Sequence, residues 1–146
     1  MLGPDCWILT GPTASGKTAL GVAMAERLGA EIVSVDSMAV YRGLDIGTAK
    51  PGISERSRVP HHVVDVVDPH EPFSVAEWLS RAHLAVERIR AKGRGIVFVG
   101  GTPLYLRALR EGLATLPSRN DAVRLSLEAD VRLHGSASLH RRLAAT

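Results

Sequence analysis

The chain has a single cysteine, Cys6, among 146 residues. No intramolecular disulfide can form, which agrees with a reducing compartment. No apolar run approaches the ~20 residues that span a bilayer, so a membrane helix is not expected. The opening residues, Met1-Leu2-Gly3-Pro4-Asp5, lack the positive charge that begins a secretory signal, and none is expected there. With one cysteine and no His-Glu-x-x-His stretch, a zinc centre is not expected either. Internal repeats and low-complexity segments are absent. Charge of one sign is not concentrated: 18 Lys and Arg face 15 Asp and Glu, a formal +3. That mild basicity is compatible with an anionic partner without identifying one. What remains, 45% hydrophobic and 23% charged residues, suits a soluble globular protein with enough apolar material for a core. A cytoplasmic location is expected.

Against this background one stretch organises the chain. Gly11-Pro12-Thr13-Ala14-Ser15-Gly16-Lys17-Thr18 fits Gly-x-x-x-x-Gly-Lys-[Ser/Thr], the P-loop pattern. An apolar run, residues 6–10, precedes it and a helical pattern, residues 17–28, follows. In that setting the loop's backbone N–H groups point into one concavity, and the helix adds unpaired N–H groups and the positive end of its dipole. Lys17 can reach an outer phosphate and Thr18 can offer a hydroxyl to Mg²⁺. A P-loop reads first as nucleotide binding, with ATP and phosphoryl transfer as the default chemistry.

The rest of the chain alternates strand and helix. Residues 6–10 read as a buried strand. In the helix, Leu20, Ala23, Met24, Arg27 and Leu28 recur at helical spacing, and Gly29 stops it. Residues 31–35 are rich in β-branched residues and read as a second strand, parallel to the first. Asp36 follows at the C-terminal rim, where open parallel sheets bind ligands. It suits a general base, a Mg²⁺ partner or a helix N-cap. Residues 39–60 read as loop. Residues 61–67 look like a third strand, and alternation puts His61 and His62 on opposite faces. Ser74 with Glu77 forms a capping box for a helix from Val75 to about Ala91, with Ala76, Leu79, Ala82, His83, Val86 and Ile89 inward. Trp78 is read as packing. Residues 96–99 form a fourth strand, and Gly100-Gly101-Thr102 makes a second glycine-rich strand-to-helix junction on the same rim. Thr102 there suits either a ligand-facing hydroxyl or the N-cap of a helix over 103–110. Beyond Leu113 the character changes: Leu116-Pro117-Ser118 breaks the chain, and residues 121–133 and 138–144 read as two helices. The fold class is α/β, a P-loop NTPase-like open parallel sheet with flanking helices. Residues 1–115 form the core and residues 116–146 begin a helical insertion.

Several segments occur in one order: Gly-Pro-Thr-Ala-Ser-Gly-Lys-Thr (11–18), Asp-Ser-Met-Ala-Val-Tyr-Arg-Gly-Leu-Asp-Ile-Gly-Thr-Ala-Lys-Pro (36–51), Pro-His-His-Val-Val-Asp-Val-Val-Asp-Pro (60–69), Phe-Ser-Val-Ala-Glu-Trp (73–78) and Val-Gly-Gly-Thr-Pro-Leu-Tyr-Leu (99–106). This series resembles the bacterial tRNA dimethylallyltransferases over nearly the whole chain. The resemblance implies transfer of a dimethylallyl group from dimethylallyl diphosphate to the N6 amine of the adenosine 3′ of the anticodon, with diphosphate leaving and Mg²⁺ assisting. It implies that Gly11 to Thr18 cradle the diphosphate, with Lys17 and Thr18 catalytic and Thr18 on the metal. Asp36 corresponds to the catalytic base. Asp36, Ser37, Met38 and Ala39 span the substrate-recognition segment, and Thr102 and Arg124 correspond to tRNA contacts. Two departures stand out. Ala39 occupies a position where the family usually has Gln, and a methyl has no hydrogen bond to offer a base edge. Family members are also longer, which implies a core sheet short of a strand and a tRNA-binding insertion cut within its first helices. The partners implied are tRNA and dimethylallyl diphosphate, with no membrane and a monomeric chain. Alternatives left open are an adenylate isopentenyltransferase acting on free nucleotide, a P-loop small-molecule kinase, and an inactive fragment.

Overall fold

The computed structural model describes residues 2–114 and 120–145. They belong to two compact units, Met1–Leu113 and Ala114–Thr146, which are taken in turn. The Leu116-Pro117-Ser118 break lies outside the described residues.

The first unit holds strands β1 (Cys6–Leu9), β2 (Ala30–Val35), β3 (His61–His62) and β4 (Gly95–Gly100), with helices α1 (Lys17–Leu28), α2 (Ile53–Arg58), α3 (Val75–Ala91) and α4 (Pro103–Glu111). The strands form one sheet in the order β1-β4-β2-β3, parallel throughout. This is a P-loop NTPase-like open sheet with flanking helices. The last strand in sequence, β4, lies between β1 and β2, so its C-terminal end separates the P-loop from the residues after β2.

Strand alternation divides the core into two layers. Val33 and Val35 of β2 and Ile96 and Phe98 of β4 pack with Trp78, Ala82, Val86 and Ile89 of α3 and Tyr105 and Leu109 of α4. Ala30 and Ile32 of β2 and Val97 of β4 pack on the other face with Val22 and Ala25 of α1. Trp78 is fully buried, stacks on Tyr105 at 4.6 Å between ring centroids, and donates Nε1–H to the Ser34 carbonyl at 2.9 Å. It is a packing residue, as its helical position suggested.

Several elements differ from the sequence reading. β1 is not a buried strand: it lies at the edge of the sheet, with Trp7 and Ile8 more than one-third exposed. An apolar run has the same appearance at an edge as at the centre. In α1 the buried residues are Gly21, Val22 and Ala25, while Leu20 and Leu28 are exposed. Gly21 turns inward because a Cβ there would come within 2.8 Å of Val99; the helix sits too close to β4 for a larger residue. The 39–60 stretch contains α2. The third strand stops after His62, since Val63 and Asp65 take φ of +59° and +54°, which ends the extended run. Only an isolated bridge, Tyr41 to Val67, follows. In α3 the Ser74 hydroxyl caps the Glu77 N–H, but the Glu77 carboxylate pairs with Arg81. Trp78 and Ala85 are buried there, and Ala76 and His83 face solvent.

Among the described residues, Glu31 is the charged residue that is buried as a whole. It lies on β2 and is 1% exposed. Its carboxylate meets His62 Nε2 at 2.7 Å, Lys92 Nζ at 3.0 Å and Arg94 at 3.6 Å. Burial raises its pKa, but the hydrogen bonds from His62 and Lys92 outweigh that and leave the net value below the ordinary 4.5.

The second unit contains α5 (Asp121–His134) and α6 (Ser136–Ala144). Asn120 caps α5 by accepting from the Val123 N–H at 3.1 Å. Gly135 joins the helices with φ of +76°. Arg142 of α6 pairs with Asp130 of α5 at 2.8 Å. Neither helix has a buried residue.

Candidate active site

The loop after β1 closes on itself before entering α1. Gly16 has φ of +80° and Ala14 φ of +62°. Left-handed turns of this kind aim successive N–H groups inward. Gly16 accepts such a backbone without strain, whereas Ala14 carries a strained conformation at the site. Lys17 folds back across the loop: its Nζ donates to the Pro12 carbonyl and lies 3.5 Å from Ser15 Oγ. Gly11 to Thr18 all line one cleft of about 670 Å³.

Asp36 lines the same cleft. Its Oδ1 accepts from the N–H groups of Met38 at 2.7 Å and Ala39 at 3.1 Å. No helix begins at Asp36, so the helix N-cap alternative gives way to a carboxylate that caps a turn at the rim. One carboxylate oxygen is held by backbone; these two bonds do not use Oδ2. Met38 and Ala39 line the cleft as well. Ala39 is buried, and its carbonyl accepts from the Asp65 N–H at 3.0 Å. Ser37 donates its N–H to Thr102 Oγ1 at 3.0 Å. Thr102 is the N-cap of α4 by position, as one reading had it, but its side chain makes no cap bond to the helix and bonds across the rim instead.

The glycines before Thr102 are set by close approach. A Cβ on Gly100 would lie 2.2 Å from the Val35 carbonyl oxygen, and one on Gly101 would lie 2.9 Å from the Gly11 carbonyl oxygen. The β4–α4 junction is thus pressed between the end of β2 and the P-loop.

The far wall of the cleft was not legible in the sequence. Gly47, Thr48, Ala49, Pro51, Glu55 and His61 line it, with Ser34 and Ile32 at the sheet. Lys50 anchors this wall from behind. Its side chain is 2% exposed, and its three donors reach the Tyr41 carbonyl, Asp45 and Asp65 at 2.7, 2.8 and 2.7 Å. Burial lowers the Lys50 pKa, but the hydrogen bonds to Asp45 and Asp65 outweigh it and the net shift is upward. His61 bonds the Val59 carbonyl through Nδ1 at 2.8 Å. A carbonyl partner requires the proton on Nδ1, so the neutral ring carries its lone pair on Nε2. Burial, the largest cause, lowers the His61 pKa and favours that neutral form. Its alternation with His62 would have placed it on the α1 face, but nothing in its neighbourhood in sequence announces a cleft.

Arg124 lies on α5 in the second unit, 62% exposed and paired with Glu128 at 3.0 Å. Among the described residues no helix is long and apolar enough to cross a membrane, and no cluster of three or more His, Cys, Asp or Glu residues could hold a metal ion.

Residues 39–146 match the family model described as IPP transferase. The chain is 52% identical over 138 residues to the tRNA dimethylallyltransferase of Geobacter metallireducens, covering 94% of this chain and 45% of that protein. It is 53% identical over 137 residues to that of Halorhodospira halophila, covering 94% and 44%. Among solved structures it resembles the tRNA isopentenylpyrophosphate transferase of Bacillus halodurans, with a TM-score of 0.73 and 42% identity over 96% of this chain and 46% of that one. A eukaryotic dimethylallyltransferase acting on tRNA superposes with a TM-score of 0.71 at 31% identity, over 90% and 32% of the two chains. The chain spans under half the length of the curated relatives it matches.

Proposed function

Because the chain belongs to the IPP transferase family, we propose that it carries the donor site and the proton acceptor of an enzyme that prenylates tRNA. The dimethylallyl group of dimethylallyl diphosphate passes to the N6 amine of the adenosine 3′ of the anticodon. The new bond joins N6 to the allylic carbon, the carbon–oxygen bond breaks, and diphosphate leaves. The reaction runs in the cytoplasm on a monomeric protein.

The observation that carries this reading is the single cleft of about 670 Å³ shared by the whole P-loop and Asp36. A phosphate cradle with no carboxylate beside it would suit many ligands. A carboxylate held by two backbone N–H groups suits a proton acceptor for a weakly basic amine. The loop N–H groups and the N-terminus of α1 stabilise the charge that grows on the diphosphate. Lys17 exchanges its Pro12 carbonyl for a phosphate oxygen, and Asp36 takes the N6 proton. Thr18 lines the cleft with Ser15 and Asp36, and the hard oxygens these residues carry would suit Mg²⁺ together with diphosphate oxygens. When bound, that ion supplies further charge neutralisation on the leaving group. Ser37, Met38 and Ala39 face the acceptor with Asp36, and Thr102 and Arg124 contact the tRNA.

The test is incubation with labelled dimethylallyl diphosphate and either tRNA or AMP. Label in tRNA is expected. Label in AMP alone would point to a free-nucleotide enzyme, and ATP-dependent phosphorylation of a small acceptor to a kinase.

A further inference from the structure

Thr102 makes two bonds that a tRNA contact does not require. Its backbone N–H donates to the Val35 carbonyl at 3.2 Å. Its Oγ1 accepts from the Ser37 N–H at 3.0 Å. Val35 and Ser37 are the residues immediately before and after Asp36. One residue of the β4–α4 junction therefore grips the chain on both sides of the carboxylate, across 65 residues of sequence.

We infer that Thr102 is a positioning residue for Asp36, holding the backbone on either side so that the free carboxylate oxygen points into the cleft at a fixed distance from the P-loop. The inference rests on the function proposed above. The carboxylate has little freedom left once its neighbours are held. Oδ1 is pinned by the Met38 and Ala39 N–H groups, and Val35 and Ser37 are pinned by Thr102, so the direction of Oδ2 is set. Gly100 and Gly101 fix the other end of the clamp. Their lack of side chains lets the junction lie against Val35 and Gly11 at separations that a Cβ would forbid. The junction thereby spans from the diphosphate cradle to the base and sets the distance between them. The Thr102 hydroxyl is not spent on α4. Its remaining contact, to Ser37 Oγ, is long at 3.5 Å.

The chemistry separates this role from a tRNA contact. A contact supplies binding; a clamp supplies the geometry of proton transfer. Small displacements of a reacting group cost rate more than affinity, on the order of 10²-fold for 1 Å. Thr102→Val keeps the shape and removes the acceptor for Ser37. Thr102→Ser keeps the acceptor. Single-turnover transfer from dimethylallyl diphosphate to tRNA is measured for the wild type and both variants over a range of tRNA concentrations. Donor affinity by calorimetry reports whether the fold survives. If Thr102→Val loses donor binding, Thr102→Ala makes the same comparison with no bulk to misplace. The expected result is a rate at saturating tRNA lowered about tenfold or more in Thr102→Val, with unchanged donor affinity. Thr102→Ser brings the rate back to within about twofold of wild type. Hydrogen exchange of the Ser37 amide quickens in Thr102→Val and slows again in Thr102→Ser. A Thr102→Val protein with a raised KM for tRNA but a wild-type saturating rate would overturn the positioning role, as would an unchanged Ser37 exchange rate. A wild-type chain that transfers nothing to tRNA would remove the proposed function and this inference with it; an active wild type with an equally active Thr102→Val would remove the clamp alone.

Discussion

The α/β unit and the helical pair that follows it are held together on different terms. Among the described residues, every buried side chain lies in the first unit. There, two apolar layers sandwich a parallel sheet, and even a carboxylate, Glu31, is accommodated by the His62 ring of β3 and the cations Lys92 and Arg94. In the helical pair, Leu125, Leu133 and Leu143 are 65%, 76% and 76% exposed. Its definition comes from the Asn120 cap, the Gly135 turn and the Arg142–Asp130 pair. Features of that kind contribute tenths of a kcal/mol to about 1 each, against about 1.5–3 for one fully buried large apolar side chain. The cleft shared by the P-loop and Asp36 is built on the packed unit, whereas Arg124, proposed as a tRNA contact, lies on an exposed face of the helical pair.

Substitutions on the two sides sharpen this contrast. Trp78→Ala removes a stacked, fully buried ring and should lower stability by about 3–5 kcal/mol in urea unfolding. Lys17→Ala should weaken dimethylallyl diphosphate binding by about 1.5–3 kcal/mol in calorimetry, the range for hydrogen bonds to charged groups, and leave tRNA affinity nearly unchanged. Unaltered donor affinity would remove the P-loop as the diphosphate site. Glu31→Gln should cost about 1–3 kcal/mol at pH 7, kept low because Lys92 and Arg94 are half exposed. The Glu31 pKa is lowered on folding, so its contribution is present above the ordinary 4.5 and fades as pH falls below it. The stability gap between wild type and Glu31→Gln should therefore narrow in acid; a gap constant from pH 7 to pH 3 would contradict the ion-pair account. Arg124→Ala should leave stability and donor binding alone, weaken tRNA binding at low salt and reduce the salt slope by about 0.9. An unchanged slope would make it a structural surface arginine. The smallest effect belongs to Leu133→Ala, within about 0.5 kcal/mol. A loss comparable to that of Trp78→Ala would break the comparison.

Much of this arrangement was legible in the residues. The P-loop, the bounds of α1 and β2 and the rim position of Asp36 follow from local patterns, because a strand–loop–helix junction is encoded within some 30 residues. What was not legible depends on contacts distant in sequence. Trp7 and Ile8 look like core residues until β1 is seen at the sheet edge. Val63 and Asp65 belong to a run of β-branched residues, yet their left-handed backbone ends the strand for tertiary reasons. α2 is a turn and a half of mostly polar residues with no apolar face. Glu31 is buried in β2, and the His62, Lys92 and Arg94 side chains that meet its carboxylate lie 31 to 63 positions away. The Thr102 hydroxyl has the local setting of a helix cap, and only the folded rim brings Ser37 to it.

In the proposed reaction Asp36 accepts the proton of the N6 amine while the P-loop holds the diphosphate. Nucleoside analysis of tRNA treated with labelled dimethylallyl diphosphate tests it most directly, with the wild type compared to Asp36→Asn at equal donor occupancy. Label is expected as N6-dimethylallyladenosine with the wild type, and its rate of formation is expected to fall about 10²–10⁴-fold with the variant. Equal rates for the two proteins, or label on any atom other than N6, would contradict the proposed reaction.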